Sequence, residues 1–174
     1  MPNANDYENL LSIDEIDLFE RQTFDGRSKL EGWKPWRFKA MCGNREWGDI
    51  VSYHTHLPIV TPEFIEATRD LIDGSVEILP IDCEGKELYL LNTTEVLDCI
   101  DYSKAKYKAF PNTNRIFRFE KYAFIEEKVK GKHFFKIKDI PFYGVFVSDE
   151  FRQRAIDKGL VGIRFDLVWD SEAE

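Results

Sequence analysis

The sequence predicts an α+β fold: an antiparallel-rich sheet meander carrying about three short helices, all within a single domain. Three observations predict it. The chain of 174 residues is 43% hydrophobic and 14% aromatic, ample for one core of ordinary size. Its apolar residues come in short runs broken by Gly, Pro, Asn or charged residues, as strands joined by turns require. Two stretches carry helix-start chemistry instead, Thr61-Pro62-Glu63 and Ser148-Asp149-Glu150, and glycine stops follow at Gly74 and Gly159.

Along the chain, residues 1–56 read as an irregular strand-and-loop N-terminal region of this same domain, 57–169 as its α+β core and 170–174 as an acidic tail. Glycines 26, 32, 43 and 48 and Pro35 punctuate short aromatic pieces in the first of these. After Thr61, Phe64, Ala67, Thr68, Leu71 and Ile72 recur at helical spacing. Residues 76–81 and 86–91 flank Cys83-Glu84-Gly85 as a hairpin, and Asn92-Thr93-Thr94-Glu95 resembles a capping box that opens a short helix to Ile100. Strands at 107–110, 115–119, 122–127 and 133–137 form the meander, with Phe135 and Ile137 facing the core and Phe134, Lys136 and Lys138 facing out. A strand at 145–147 leads into the helix after Ser148, and a last strand runs over 161–168. Val60-Thr61-Pro62-Glu63-Phe64 and Val147-Ser148-Asp149-Glu150-Phe151 resemble one another, as a duplicated unit would, or as any two capped strand-to-helix junctions do.

Net charge is −8, which disfavours a general nucleic-acid binder. The charge is segmental. Residues 104–138 hold eleven Lys or Arg against three Glu, a local +8, so the remainder carries −16, and the first twenty residues hold six acids and no base. Such runs serve as solvated faces, or as an acidic surface complementary to a basic partner. No apolar run is long enough to span a bilayer, and the first residues lack the basic and apolar regions of an export signal, so a cytoplasmic location is expected. Cys42, Cys83 and Cys99 are an odd number and form no C-x-x-C pair, so neither a disulfide framework nor a zinc knuckle is expected.

Chemistry-bearing motifs are sparse. His54-Thr55-His56 on a strand would aim both rings to one side, as a metal site needs, but no third ligand stands at diagnostic spacing. Glu126-Glu127-Lys128 superficially fits the acid-x-Lys end of a metal-dependent nuclease site and lacks the preceding acid. Neither a phosphate-binding glycine loop nor a nucleophile elbow is found. The cations of 104–138 interleave with aromatics, which suits single-stranded nucleic acid or simply a half-solvated sheet. Trp33, Trp36 and Trp47 are core or interface residues.

Several blocks carry a family resemblance: Leu57-Pro58-Ile59-Val60-Thr61, Val76-Glu77-Ile78-Leu79-Pro80-Ile81, the stretch from Tyr89-Leu90-Leu91-Asn92 to Asp101, Lys121-Tyr122-Ala123-Phe124, Val145-Phe146-Val147-Ser148-Asp149-Glu150-Phe151 and Gly159-Leu160-Val161-Gly162-Ile163-Arg164-Phe165. In order and spacing they resemble the immunity-protein family numbered eleven among bacterial polymorphic toxin systems, earlier described only as a domain of unknown function. The resemblance spans about Leu57 to Trp169, and Phe24-Asp25-Gly26 with Gly32-Trp33-Lys34-Pro35 resembles a weaker N-terminal part. It implies a cytoplasmic antidote that binds a cognate toxin, not an enzyme, and it carries over no interface residues.

The expected function is therefore stoichiometric neutralisation of a toxin with a basic surface, with no cofactor, metal, nucleic acid or membrane. Asp14, Glu15, Asp17 and Glu20, with Trp33 and Trp47, are the expected partner-binding residues: the acids steer, the aromatics anchor. The alternatives are a metal-dependent hydrolase or nuclease using His54, His56 and a carboxylate, and a scaffold or adaptor binding module.

Overall fold

A computed structural model describes residues 6–16, 20–21, 23–54 and 56–172, the side chains of Ser52 and His54 excepted. Its centre is the stretch that the sequence patterns most regularly. Strands β3 (Ile50–His54), β4 (Leu57–Val60), β5 (Val76–Pro80) and β7 (Tyr89–Thr93) form one antiparallel sheet in the order β3-β4-β7-β5. Side chains alternate across a strand, so Ile59 and Leu90 enter one core while Val60 and Leu91 enter another on the opposite face. Both faces being covered explains why these strands read as continuous apolar runs.

On the first face, β1 (Leu10–Ser12), β2 (Arg37–Ala40) and β6 (Asp82–Cys83) make a small sheet, with β1 antiparallel and β6 parallel to β2. Phe24, Trp36 and Phe38 from this N-terminal part are buried against Leu57, Ile59 and Leu90. On the second face lie α1 (Pro62–Ile72) and α3 (Asp149–Asp157). Each helix starts as its residues dictate: Phe64 N–H donates to the Thr61 hydroxyl at 3.3 Å, and Phe151 N–H donates to the Ser148 hydroxyl at 3.1 Å. The two first-turn phenylalanines then meet, with ring centroids 6.0 Å apart. Both junctions thus share a hydroxyl cap and a first-turn phenylalanine packed on the other.

A third core gathers Cys99, Ile116, Phe119, Phe124, Phe135 and Ile137. It lies among the hairpin of β9 (Lys106–Ala109) and β10 (Ile116–Lys121), the single turn α2 (Glu126–Val129), and a sheet of β8 (Val96–Leu97), β11 (Phe134–Ile137) and β12 (Phe146–Val147). The three helices and twelve strands, mostly antiparallel among the described residues, bear out the α+β class.

Four local expectations are overturned. The box at 92–95 starts no helix: Asn92 and Thr93 complete β7 fully buried, and Glu95 gives its carbonyl to Lys136 N–H at 2.9 Å. The helix-start donors are spent on tertiary bonds, since Thr94 and Glu95 N–H both donate to the Ser75 carbonyl. The meander stops at β10, because residues 126–129 coil into α2 and β11 pairs with β8 and β12 instead. Phe134 and Lys136 do not face out; all four residues of β11 are buried, since the strand lies between cores. Residues 161–168 form no ladder. Val161 N–H donates to the Asp49 carboxylate at 2.8 Å and its carbonyl accepts from Asp49 N–H at 2.9 Å, and the chain then swings at Gly162, φ +82°, where a Cβ would sit 2.6 Å from the Ile50 carbonyl oxygen.

Lys136 is wholly buried, and its ammonium donates to the Phe24 carbonyl at 2.8 Å. Burial pushes its pKa down to about 8, with the Asp25 carboxylate opposing. Gly26 follows at φ +106°, and a Cβ there would stand 2.5 Å from Val96 Cγ2. Gly26→Ala is therefore expected to destabilise the fold by roughly 2 kcal/mol or more, read from denaturant midpoints. The folded pKa of Lys136 lies below its unfolded value of about 10.4, so the unfolded chain holds the extra proton in between and stability rises with pH across that window. Between about pH 7.5 and about pH 10 the wild type is expected to gain about 2 kcal/mol relative to Lys136→Met; parallel pH curves for the two proteins would refute this.

Candidate partner-binding site

The N-terminal segment closes around an open cleft of about 440 Å³. Its floor is aromatic because Phe24 and Trp36 are drawn into the first core, their rings 5.3 Å apart and edge-on. Trp33 lies half-buried on Trp36 at 5.4 Å, and its indole N–H donates to the Pro80 carbonyl at 2.8 Å. Trp36 donates its own N–H to Glu20 at 3.2 Å. Each tryptophan thus finds a polar partner at the cleft and remains fixed there.

The walls are charged. Asp14 accepts from Arg37 twice, from the backbone N–H at 2.7 Å and from Nε at 2.9 Å, and these bonds hold its carboxyl below the usual range. Glu15, Glu20, Glu31 and Lys34 are exposed, and Lys29 crosses the Phe24 ring at 5.3 Å while donating to Thr23 at 2.8 Å. Four carboxylates against two ammonium groups leave the lining net acidic. Behind it, burial pushes the Glu77 carboxyl up, but bonds from Ser28, Lys29 N–H and the Asn92 amide outweigh burial and hold it low. Asn92 also donates to the Arg27 carbonyl at 2.9 Å, so residues 27–29 are pinned to the central sheet.

The cleft brings Asp14, Glu15, Glu20 and Trp33 together. Trp47 lies elsewhere on the same core, half-buried under Lys86, whose ammonium sits 5.0 Å from its ring. Asp17 lies outside the described residues. Glu31 and Lys29 also line the cleft and carried no sequence signal beyond their charge. An acidic rim over tryptophan suits a cationic side chain, which gains from the carboxylates and the ring face alike.

The residues considered for catalysis do not converge. His56 is buried with its ring 6.5 Å from Phe142; the His54 side chain and Thr55 lie outside the described parts. Among the described residues no three His, Cys, Asp or Glu are grouped to hold a metal. Glu126-Glu127-Lys128 sits on α2 rather than a strand, with Lys128 donating to the Asp98 carbonyl at 2.6 Å. His133 lies 2.9 Å from the Ser148 hydroxyl, at the cap of α3. Burial pushes the Cys83 thiol up and the Cys99 thiol to about 11, away from the thiolate a nucleophile needs. Cys42 is exposed.

The model of the Immunity protein family (Imm11) matches residues 78–170, more than half of the chain. The chain belongs to this immunity protein family. No curated protein matches it. The Imm11 match begins within β5 and runs to Asp170, so it covers the third core and α3 and leaves the cleft residues before it. Among the described residues of this Imm11 protein no helix is long and apolar enough to cross a membrane.

Proposed function

We propose that this protein neutralises a cognate bacterial toxin of a polymorphic system in the cytoplasm, by stoichiometric binding and without catalysis. Membership of the immunity family carries the reading. The cleft supports it with a place for contact: exposed Glu15, Glu20 and Glu31 steer a basic toxin surface, and Trp33 offers a fixed aromatic anchor beside them. Asp14, engaged by Arg37, holds the wall in shape, and Trp47 serves as a separate contact.

Co-expression with the product of the adjacent gene tests this. The product alone is expected to be toxic, and the pair viable and recoverable as a stoichiometric complex. Glu15→Lys with Glu31→Lys is expected to slow association several-fold at low salt, with the difference shrinking as salt is raised. A product that is harmless, or that stays toxic and unbound, refutes the proposal.

A further inference from the structure

The β9–β10 hairpin presents a surface that folding alone does not explain. Every residue of β9 is exposed, and β9 and β10 form a two-stranded sheet of their own. Tyr102, Tyr107, Phe110 and Phe117 are each between 42% and 48% exposed, although their rings are ordered against one another: Phe110 meets Phe117 at 5.2 Å and Tyr102 meets Tyr107 at 5.8 Å. Exposed aromatic rings in one hairpin are costly to leave in water and mark a contact surface.

Its charges point the same way. Across the ladder Lys108 faces Arg118 and Lys106 faces Lys121, and like charges directly opposite destabilise a hairpin. Glu120 relieves the first pair, at 2.9 Å from Lys108 and 3.5 Å from Arg118. Neither Lys106 nor Lys121 has an ion pair among the described residues. Of the cations that follow in this basic stretch, Lys132 pairs with Glu95, Lys138 pairs with Asp98 and Lys136 lies in the interior, while Lys128 and Lys130 are balanced in charge by the neighbouring Glu126 and Glu127. The exposed positive excess is thus concentrated on the hairpin.

We infer that the β9–β10 hairpin is a second toxin-docking surface, whose occupant is an acidic, partly apolar face of the toxin. This deepens the proposed function and rests on it. Carboxylates of the toxin complete the charge of Lys106 and Lys121, and its apolar groups cover Phe110 and Phe117. A protein fits better than a nucleic acid. The ring pairs are edge-to-face, at 69° and 80°, so they do not offer parallel platforms to stacked bases, and the −16 carried outside residues 104–138 repels a polyanion.

The test measures binding of the full-length wild type, Lys106→Glu/Lys121→Glu and Phe110→Ser/Phe117→Ser to the adjacent-gene product, after circular dichroism and melting have shown that each variant folds. Each variant is expected to weaken the complex at least tenfold. Affinities within twofold of wild type in every folded variant overturn the hairpin assignment and leave the proposed function standing. The assignment is likewise overturned, in favour of nucleic acid, if the variants keep the toxin but lose binding to a single-stranded oligonucleotide that the wild type holds. A wild type that binds no toxin overturns the proposed function and this inference with it.

Discussion

The bond from the Lys136 ammonium to the Phe24 carbonyl joins the two halves of this molecule. Phe24 forms part of the cleft floor, and β11 separates the second core from the third. A buried ammonium without an acceptor would be far costlier than one with it, so any arrangement that moves Phe24 away from β11 is disfavoured. Gly26 and Asn92 reinforce the tie from either side. Only a residue without Cβ lets the turn pass Val96, and the Asn92 amide catches the Arg27 carbonyl from the central sheet. The resemblance at Phe24-Asp25-Gly26 therefore has a physical reading: the turn is the receptor for a scaffold lysine.

The same constraint explains why the cleft can be rigid in a region with little regular structure. The described residues between 13 and 36 contribute no ladder strand, yet tryptophan N–H groups, Asp14 on Arg37 and Glu77 on Lys29 N–H fix them at separate points. A contact surface held at several anchors loses less conformational freedom on binding than a free loop would. Surface side chains between the anchors, such as Glu15 and Glu31, can change without disturbing any of them.

Local chemistry was legible wherever it was self-contained. Thr61 and Ser148 cap the helices they announce, and the Cys83–Gly85 hairpin joins β5 to β7, because each signal depends on neighbours in sequence. Asn92-Thr93-Thr94-Glu95 misleads for the opposite reason: the Asn92 amide donates to Arg27 and Glu77, and the Thr94 and Glu95 backbone N–H groups donate to Ser75, none of them local. Lys136 misleads as well. Alternation places a lysine on the solvent face, and only the arrival of Phe24 from 112 positions away shows that this face is covered. For the cleft, clustered acids and tryptophans were visible as composition, but which of them converge depended on the path of residues 14–36. Trp47 shares their character and lies apart from them.

Charge separation along the sequence acquires meaning only once burial and pairing are subtracted. Lys136 leaves the surface and Lys132 and Lys138 are matched by Glu95 and Asp98 at β8, so the cationic stretch contracts to one hairpin. Asp14, in contrast, spends its charge on Arg37, while Glu15 and Glu31 keep theirs exposed at the cleft. A single chain thus offers two surfaces of opposite sign, each with aromatic groups at its centre. A partner attracted by either one alone has many orientations open to it, whereas a partner bearing both complements has few. Under the proposed function, discrimination among toxins comes from this mismatch penalty: a wrong partner that satisfies the acidic cleft still sets its cations against Lys106 and Lys121.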